Sequence, residues 1–318
     1  MPSSDVEIGR VERIVALRSF PGWSDVDASD LAVIANAAKA RRYAAGDVLC
    51  DPHEPPDALF LVVSGSVRAA LDGVETGRFG EHSAVGGLAA FAEISRGYEL
   101  VALEETVALE LAHSDMEEIF EDRFILLLRV LSTLAKSSIA LRQKLPLGGF
   151  SNDAKVGPPR PPRPLDLIER ILVLSSNFAM AGRIDSVAVL ARSARELRHE
   201  VGDVVWRCGD PGDSMLSIVS GRVRCTAEDG TTWDLGAGDL AGGMCSLGYV
   251  PRWYTMEVID PLLALMMRRD VSIDVWEDHP DLALQSLKVF AQGLLRLQRR
   301  VGEHAVDGPV RLSAVDAF

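Results

Sequence analysis

The chain has 318 residues, 47% of them apolar, which is enough for sizeable cores, and its length alone suggests two domains. The net charge is −13, from 33 Lys and Arg against 46 Asp and Glu; this argues against a general nucleic-acid binder, since neutralising phosphates takes surplus basic residues. No apolar run approaches the roughly 20 residues of a membrane span, and the acidic start "MPSSDVEIGRVERIV" lacks the basic-then-apolar order of a signal peptide, so a cytoplasmic protein without a membrane partner is expected.

The elements come in two rounds. The first opens with a helical pattern, "DASDLAVIANAAKARR" from Asp27 to Arg42, with acidic capping candidates and apolar residues at 3–4 spacing. Short strands punctuated by Gly, Pro and Asp follow, such as "ALFLVVSGSVRAAL" with a turn at Gly65. A long helix then carries Phe124, Leu127, Leu131, Leu134, Leu141 and Leu145 on one seam, broken by Ser138. "PLGGFSNDAKVGPPRPPRP", Pro146 to Pro164, predicts a linker whose proline part is a stiff extended spacer. The second round repeats the order: helix in "DSVAVLARSARELR" from Asp185, strands, then a helix with Ala283, Leu287, Phe290, Leu294, Leu297 and Val301 on its seam. Seams of this kind want a helical partner, within the chain or in a homodimer; the alternative is that each helix lies on its own sandwich. The expected boundaries are 1–145 for the first domain, 146–164 for the linker, 165–306 for the second domain and 307–318 for a tail. The fold class is α+β, with two tandem jelly-roll-like β-sandwiches, each flanked by N-terminal helices and a long C-terminal helix.

The two rounds are copies. "GDVLCDPHEPPDALFLVVSGSVR" (Gly46–Arg68) aligns with "GDVVWRCGDPGDSMLSIVSGRVR" (Gly202–Arg224) at an offset of 156, and the same offset carries Gly80 to Gly236, Gly86 and Gly87 to Gly242 and Gly243, and Arg96 to Arg252. In each copy a glycine pair precedes an arginine by ten residues: "GGLAAFAEISRG" and "GGMCSLGYVPRW". A glycine turn lets backbone approach a ligand, a following helix start offers unpaired N–H groups to an anion, and an arginine grips two phosphate oxygens at once.

This ordering resembles the cyclic nucleotide-binding domain superfamily. The resemblance covers both copies, through the glycine-turn strand pattern and the phosphate-binding cassette. It implies ligand contacts at Gly86, Gly87, Leu88, Arg96 and Gly97 in one copy and at Gly242, Gly243, Met244, Arg252 and Trp253 in the other. Arg96 and Arg252 would hold the exocyclic oxygens of a cyclic phosphate. The family's cassette carries a glutamate for the ribose 2′-hydroxyl where Gly87 and Gly243 stand here. Losing that contact costs about 1.5–3 kcal/mol. Three readings therefore stand open: cyclic AMP or cyclic GMP bound through other ribose contacts, cyclic di-GMP in a roomier site, or a ligand-free interaction scaffold. Trp253 and Tyr254 would stack on a base or plug the pocket.

An enzyme is not expected. The six histidines, His53, His82, His113, His199, His279 and His304, form no close pair, and no H-E-x-x-H or G-x-S-x-G occurs. The four cysteines form no C-x-x-C and read as free thiols, so no cofactor or metal is expected. After the second long helix only "EHAVDGPVRLSAVDAF" follows, too short for a helix-turn-helix. A sensor of this kind would act through an unknown protein partner.

Overall fold

The structure is a computed structural model that describes residues 4–20, 23–144, 154–177 and 184–304. It divides into two compact units. Unit one takes the chain up to Lys144 together with the stretch from Leu287 onward; unit two runs from Leu145 to Ser286.

Unit one contains β1 (Ser4–Asp5), α1 (Arg10–Arg18), α2 (Ala28–Ala37), β2 (Lys39–Tyr43), β3 (Val48–Cys50), β4 (Ala58–Ser64), β5 (Val67–Leu71), β6 (Val74–Phe79), β7 (Ala84–Val85), α3 (Gly87–Phe91), β8 (Tyr98–Ala102), β9 (Thr106–Ala112), α4 (His113–Asp122) and α5 (Phe124–Lys144). One sheet orders its strands β1-β2-β9-β4-β7 and the facing sheet β3-β8-β5-β6, with antiparallel pairing throughout. Unit two contains α6 (Leu167–Asn177), α7 (Ile184–Ser193), β10 (Arg195–His199), β11 (Val204–Trp206), β12 (Ser214–Ser220), β13 (Arg222–Ala227), β14 (Thr232–Gly236), β15 (Leu240–Ala241), α8 (Gly243–Gly248), β16 (Tyr254–Val258), β17 (Leu262–Arg268) and α9 (Arg269–Asp278), followed by α10 (Pro280–His304). Its sheets read β10-β17-β12-β15 and β11-β16-β13-β14, strand for strand the order of unit one without β1. The duplication seen in sequence is thus a duplication of topology.

Why these segments form these elements follows from burial. β4 is buried from Ala58 to Val62 because its sheet is covered on both faces, so it reads as a continuous apolar run. β13 keeps only Val223 and Cys225 buried, the alternation of a strand with one wet face. The helical patterns at Asp27 and Asp185 end sooner than their spacing predicts. α2 stops at Ala37 and α7 at Ser193, and "KARRY" and "RELRH" become β2 and β10. Five consecutive pairings with β9 and with β17 outweigh the local helical propensity of Lys, Ala and Arg. Asp27 stands at the N-cap of α2 but makes no side-chain cap.

The long helices bury most of their seams, with Phe124 and Phe290 only half-buried. Leu127, Leu131, Leu134 and Leu141 are buried on α5, as are Ala283, Leu287, Leu294 and Leu297 on α10. Ser138, which interrupts the first seam, is buried as well. Leu145 lies outside the described residues, as does the side chain of Val301. Contrary to the expectation from sequence, one described helix is long and apolar enough to cross a membrane by length and composition. Phe124–Gln143 of α5 has a mean hydropathy of 1.7, with half of it buried inside the protein. The expected linker also behaves differently where it is described. Ala237 N–H bonds the Lys155 carbonyl at 2.7 Å, Gly221 N–H bonds that of Val156 at 2.8 Å, and Arg198 donates to the carbonyls of Pro161 and Arg163. The proline-rich segment is therefore fastened along unit two; residues 146–153 and the tail 307–318 lie outside the described residues. Cys50, Cys225 and Cys245 are buried, Cys208 is partly exposed, and none of the four is in a disulfide.

Candidate functional site

In each unit a two-residue strand delivers the glycine pair, and a short helix starts on its second glycine. Gly86 and Gly242 take positive φ, 87° and 77°, as N-caps of α3 and α8. A side chain at Gly86 would meet the Ala58 carbonyl at 2.6 Å, and one at Gly242 would run into the Arg252 guanidinium, so neither position admits a Cβ. The first-turn N–H groups after each glycine have no intrahelical acceptor. Behind each turn stands a buried tyrosine. Gly242 N–H donates to the Tyr254 hydroxyl at 3.1 Å, and Gly86 N–H bonds Tyr98 in the same way. Burial pushes both phenols well above the ordinary tyrosine range, so they stay neutral.

Gly87 and Gly243, where the family's glutamate would stand, differ in surroundings. A Cβ on Gly87 would press on the Leu59 side chain at 3.0 Å, whereas Gly243 faces nothing within 4 Å. Leu88 is buried and Met244 half-buried.

The two arginines differ far more. Arg252 is only 3% exposed. Its Nη1 donates to the Gly242 carbonyl at 3.1 Å, and its Nη2 to the Ser214 carbonyl at 2.8 Å and the Ser214 hydroxyl at 3.0 Å. The guanidinium carbon lies 4.1 Å from the centre of the Trp206 ring. Burial lowers its pKa from the ordinary arginine value. Trp253 stacks on Trp233 at 4.9 Å and 19°, and Tyr254 meets Trp206, Trp233 and Trp253 edge-on. Unit two thus brings Gly242 and Arg252 into direct contact and closes the arginine in with its own aromatics. In unit one Arg96 is exposed and makes no hydrogen bond or ion pair among the described residues. Gly97, at φ 96°, is tied by its N–H to the Pro52 carbonyl and by its carbonyl to Asp72 N–H.

Apart from Gly242 and Trp253, the residues around Arg252 were not singled out from sequence, yet the repeat contains the signal. At the offset of 156, Trp206, Ser214, Trp233 and Trp253 correspond to Cys50, Ala58, Gly77 and Gly97. Unit one has neither the ring, the hydroxyl nor the stacked pair, so nothing at those positions draws Arg96 inward. Within unit one, the residues of α10 from Leu287 onward flank the same cassette. Gln292 donates to the Ala92 carbonyl at 3.0 Å, Arg299 pairs with Asp72 at 2.7 Å, and Lys288 pairs with Glu93. Among the described residues no three His, Cys, Asp or Glu side chains group to hold a metal ion.

Comparison with known proteins places these features. The family model "Cyclic nucleotide-binding domain" matches residues 40–123 and again 196–279. The chain belongs to the cyclic nucleotide-binding domain family and carries two such domains in tandem. It is 27% identical over 123 residues to a CRP-like cAMP-activated global transcriptional regulator of Mycobacterium tuberculosis; the match takes in 37% of this chain and about half, 55%, of that relative. Among solved structures, the cAMP-complexed regulatory domain of Toxoplasma gondii PKA is 16% identical with a TM-score of 0.33, covering 86% of this chain and 95% of that one. The N-terminal domain of a Streptomyces coelicolor transcriptional regulator is 22% identical with a TM-score of 0.34, covering 43% and 99%.

Proposed function

We propose that the protein is a non-enzymatic cyclic-nucleotide sensor in which unit one is the responsive site and unit two a self-closed copy. The observation that carries this reading is the contrast between the arginines. Arg96 is exposed and uncommitted among the described residues, while Arg252 spends its donors on Gly242 and Ser214. The ligand is a cyclic mononucleotide, cyclic AMP or cyclic GMP. Its phosphate is held by Arg96 and the N–H groups after Gly86, and its ribose finds contacts other than a glutamate. A population shift is the mechanism. Ligand at the cassette favours one placement of the α10 residues that grip Ala92, Glu93 and Asp72, and a protein partner reads that surface in the cytoplasm. Neither DNA nor a membrane is part of this reading.

Calorimetric titration with cyclic AMP, cyclic GMP and cyclic di-GMP tests it, using the full chain and the Arg96→Ala and Arg252→Ala variants. The expected result is one site for a cyclic mononucleotide, lost in Arg96→Ala and retained in Arg252→Ala. Binding lost only in Arg252→Ala would assign the site to unit two. No heat with any of the three, and an unchanged melting temperature, would leave the interaction scaffold as the reading.

A further inference from the structure

Unit one holds a cavity that does not include the arginine of the cassette. A cavity of about 230 Å³ lies between the sheet holding β9, β4 and β7 and the helices α2, α4 and α5. An apolar cavity of roughly 150 Å³ suffices to take up benzene, so this one has room for a larger hydrocarbon group. Its deep walls are apolar, with Phe20, Leu59, Phe91 and Phe120 among them, and all four are buried.

The polar part of the lining is confined to a few groups. His82 holds a left-handed backbone, φ 64°, an uncommon conformation for a non-glycine residue, and its ring lies 5.9 Å from that of Phe20. Its Nδ1 is buried and has no hydrogen-bond partner among the described residues. From α5, Arg129, Thr133 and Lys136 face the cavity at helical spacing. Arg129 is occupied by Asp25 at 3.0 Å, and the Thr133 hydroxyl donates to the Arg129 carbonyl at 2.9 Å. Lys136 is exposed and has no ion pair among the described residues.

The sequence repeat does not carry this polar set. At the offset of 156, His82, Arg129, Thr133 and Lys136 correspond to Gly238, Gln285, Val289 and Gln292. One copy of the repeat therefore combines an apolar-walled cavity with an imidazole nitrogen and an ammonium that have no partner among the described residues; the other has none of these polar groups at the matching positions. We infer that the cavity of unit one is a second ligand site that takes a medium-chain monocarboxylate, its chain among Phe20, Leu59, Phe91 and Phe120 and its carboxylate at His82 and Lys136. An alcohol of the same length would leave the ammonium unpaired, and a cation would be repelled by it.

The test is calorimetric titration of the full chain with decanoate, decanol and decyltrimethylammonium. Two variants accompany it: Lys136→Glu, at an exposed position, and Ala84→Phe, which fills the cavity from β7. Decanoate is expected to bind once per chain, at least tenfold more tightly than either analogue. Lys136→Glu should weaken it at least tenfold without changing the melting temperature, Ala84→Phe should abolish it, and Arg96→Ala should leave it unchanged. Decanoate binding no tighter than decanol, or binding indifferent to Lys136→Glu, would overturn the inference. So would loss in Arg96→Ala, which would move the ligand to the cassette. Should Ala84→Phe fail to fold, the Lys136→Glu comparison decides alone.

Discussion

At the scale of single residues, the arginine of unit two is part of the core. Arg252→Ala removes three hydrogen bonds and the packing over Trp206, while the Gly242 carbonyl keeps its bond from Ser246 N–H. Relief of burying a charge offsets part of that loss. We expect a net destabilisation of about 2–4 kcal/mol, read from urea unfolding. Arg96→Ala, at an exposed position, should stay within about 0.5 kcal/mol of the native protein in the same assay. The glycines at the glutamate position form a second pair of opposites. Gly243→Ala faces open space and should stabilise by about 0.4–1 kcal/mol through reduced freedom of the unfolded chain. Gly87→Ala must displace the Leu59 side chain and should lose that gain or turn it into a cost. Thermal unfolding of the two variants side by side checks the difference in sign.

At the scale of elements, α6 shows how a helix start is fixed by charge. Asp166 N–H bonds the Glu169 carboxylate at 2.8 Å, and Glu169 N–H bonds the Asp166 side chain at 2.9 Å, a reciprocal capping box. Arg163 adds a two-pronged pairing to Glu169 at 2.7 and 2.9 Å. The Arg163 guanidinium, with the backbone bond second, holds the Glu169 carboxyl down at about 2. A depressed folded-state pKa stabilises above the unfolded value of about 4.3, and the contribution fades as pH falls toward 2. Glu169→Gln should therefore lower the urea midpoint at pH 6, and the gap to the native protein should shrink by pH 3. The elements also show what sequence can and cannot convey. Gly86 and Gly242 needed positive φ and announced it by their place before a short helix. β2 and β10 were concealed, because Lys, Ala and Arg favour helix locally and only pairing with β9 and β17 makes them strands. The fate of Arg252 was concealed for a related reason. Ser214 and Trp206 lie 38 and 46 residues earlier in the chain and reach the arginine only once the strands are assembled. A comparison of the two repeats would have exposed it, since Ala58 and Cys50 stand at the matching positions.

At the scale of the molecule, the repeat was legible because both copies keep one offset through glycines, turns and the arginine. The unit boundaries were not, because helical periodicity says where a helix runs and not which core receives it. α10 begins in unit two, but its residues from Leu287 belong to unit one and bond Ala92, Glu93 and Asp72 there. Deleting the chain from Leu287 should raise amide hydrogen exchange around α3 and at Asp72. The Gly242–Arg252 cassette, within unit two, should keep its protection.

That division also sets an order of events during synthesis. Unit one is assembled from two stretches of chain separated by the whole of residues 145–286. At about 5–20 residues per second, a ribosome needs roughly 7–28 s to make those 142 residues. Through that interval the first sandwich exists without its last helical partner, and the sites that Gln292, Lys288 and Arg299 later occupy are open to chaperones or to a neighbouring nascent chain. The first half of this protein is the last to be finished.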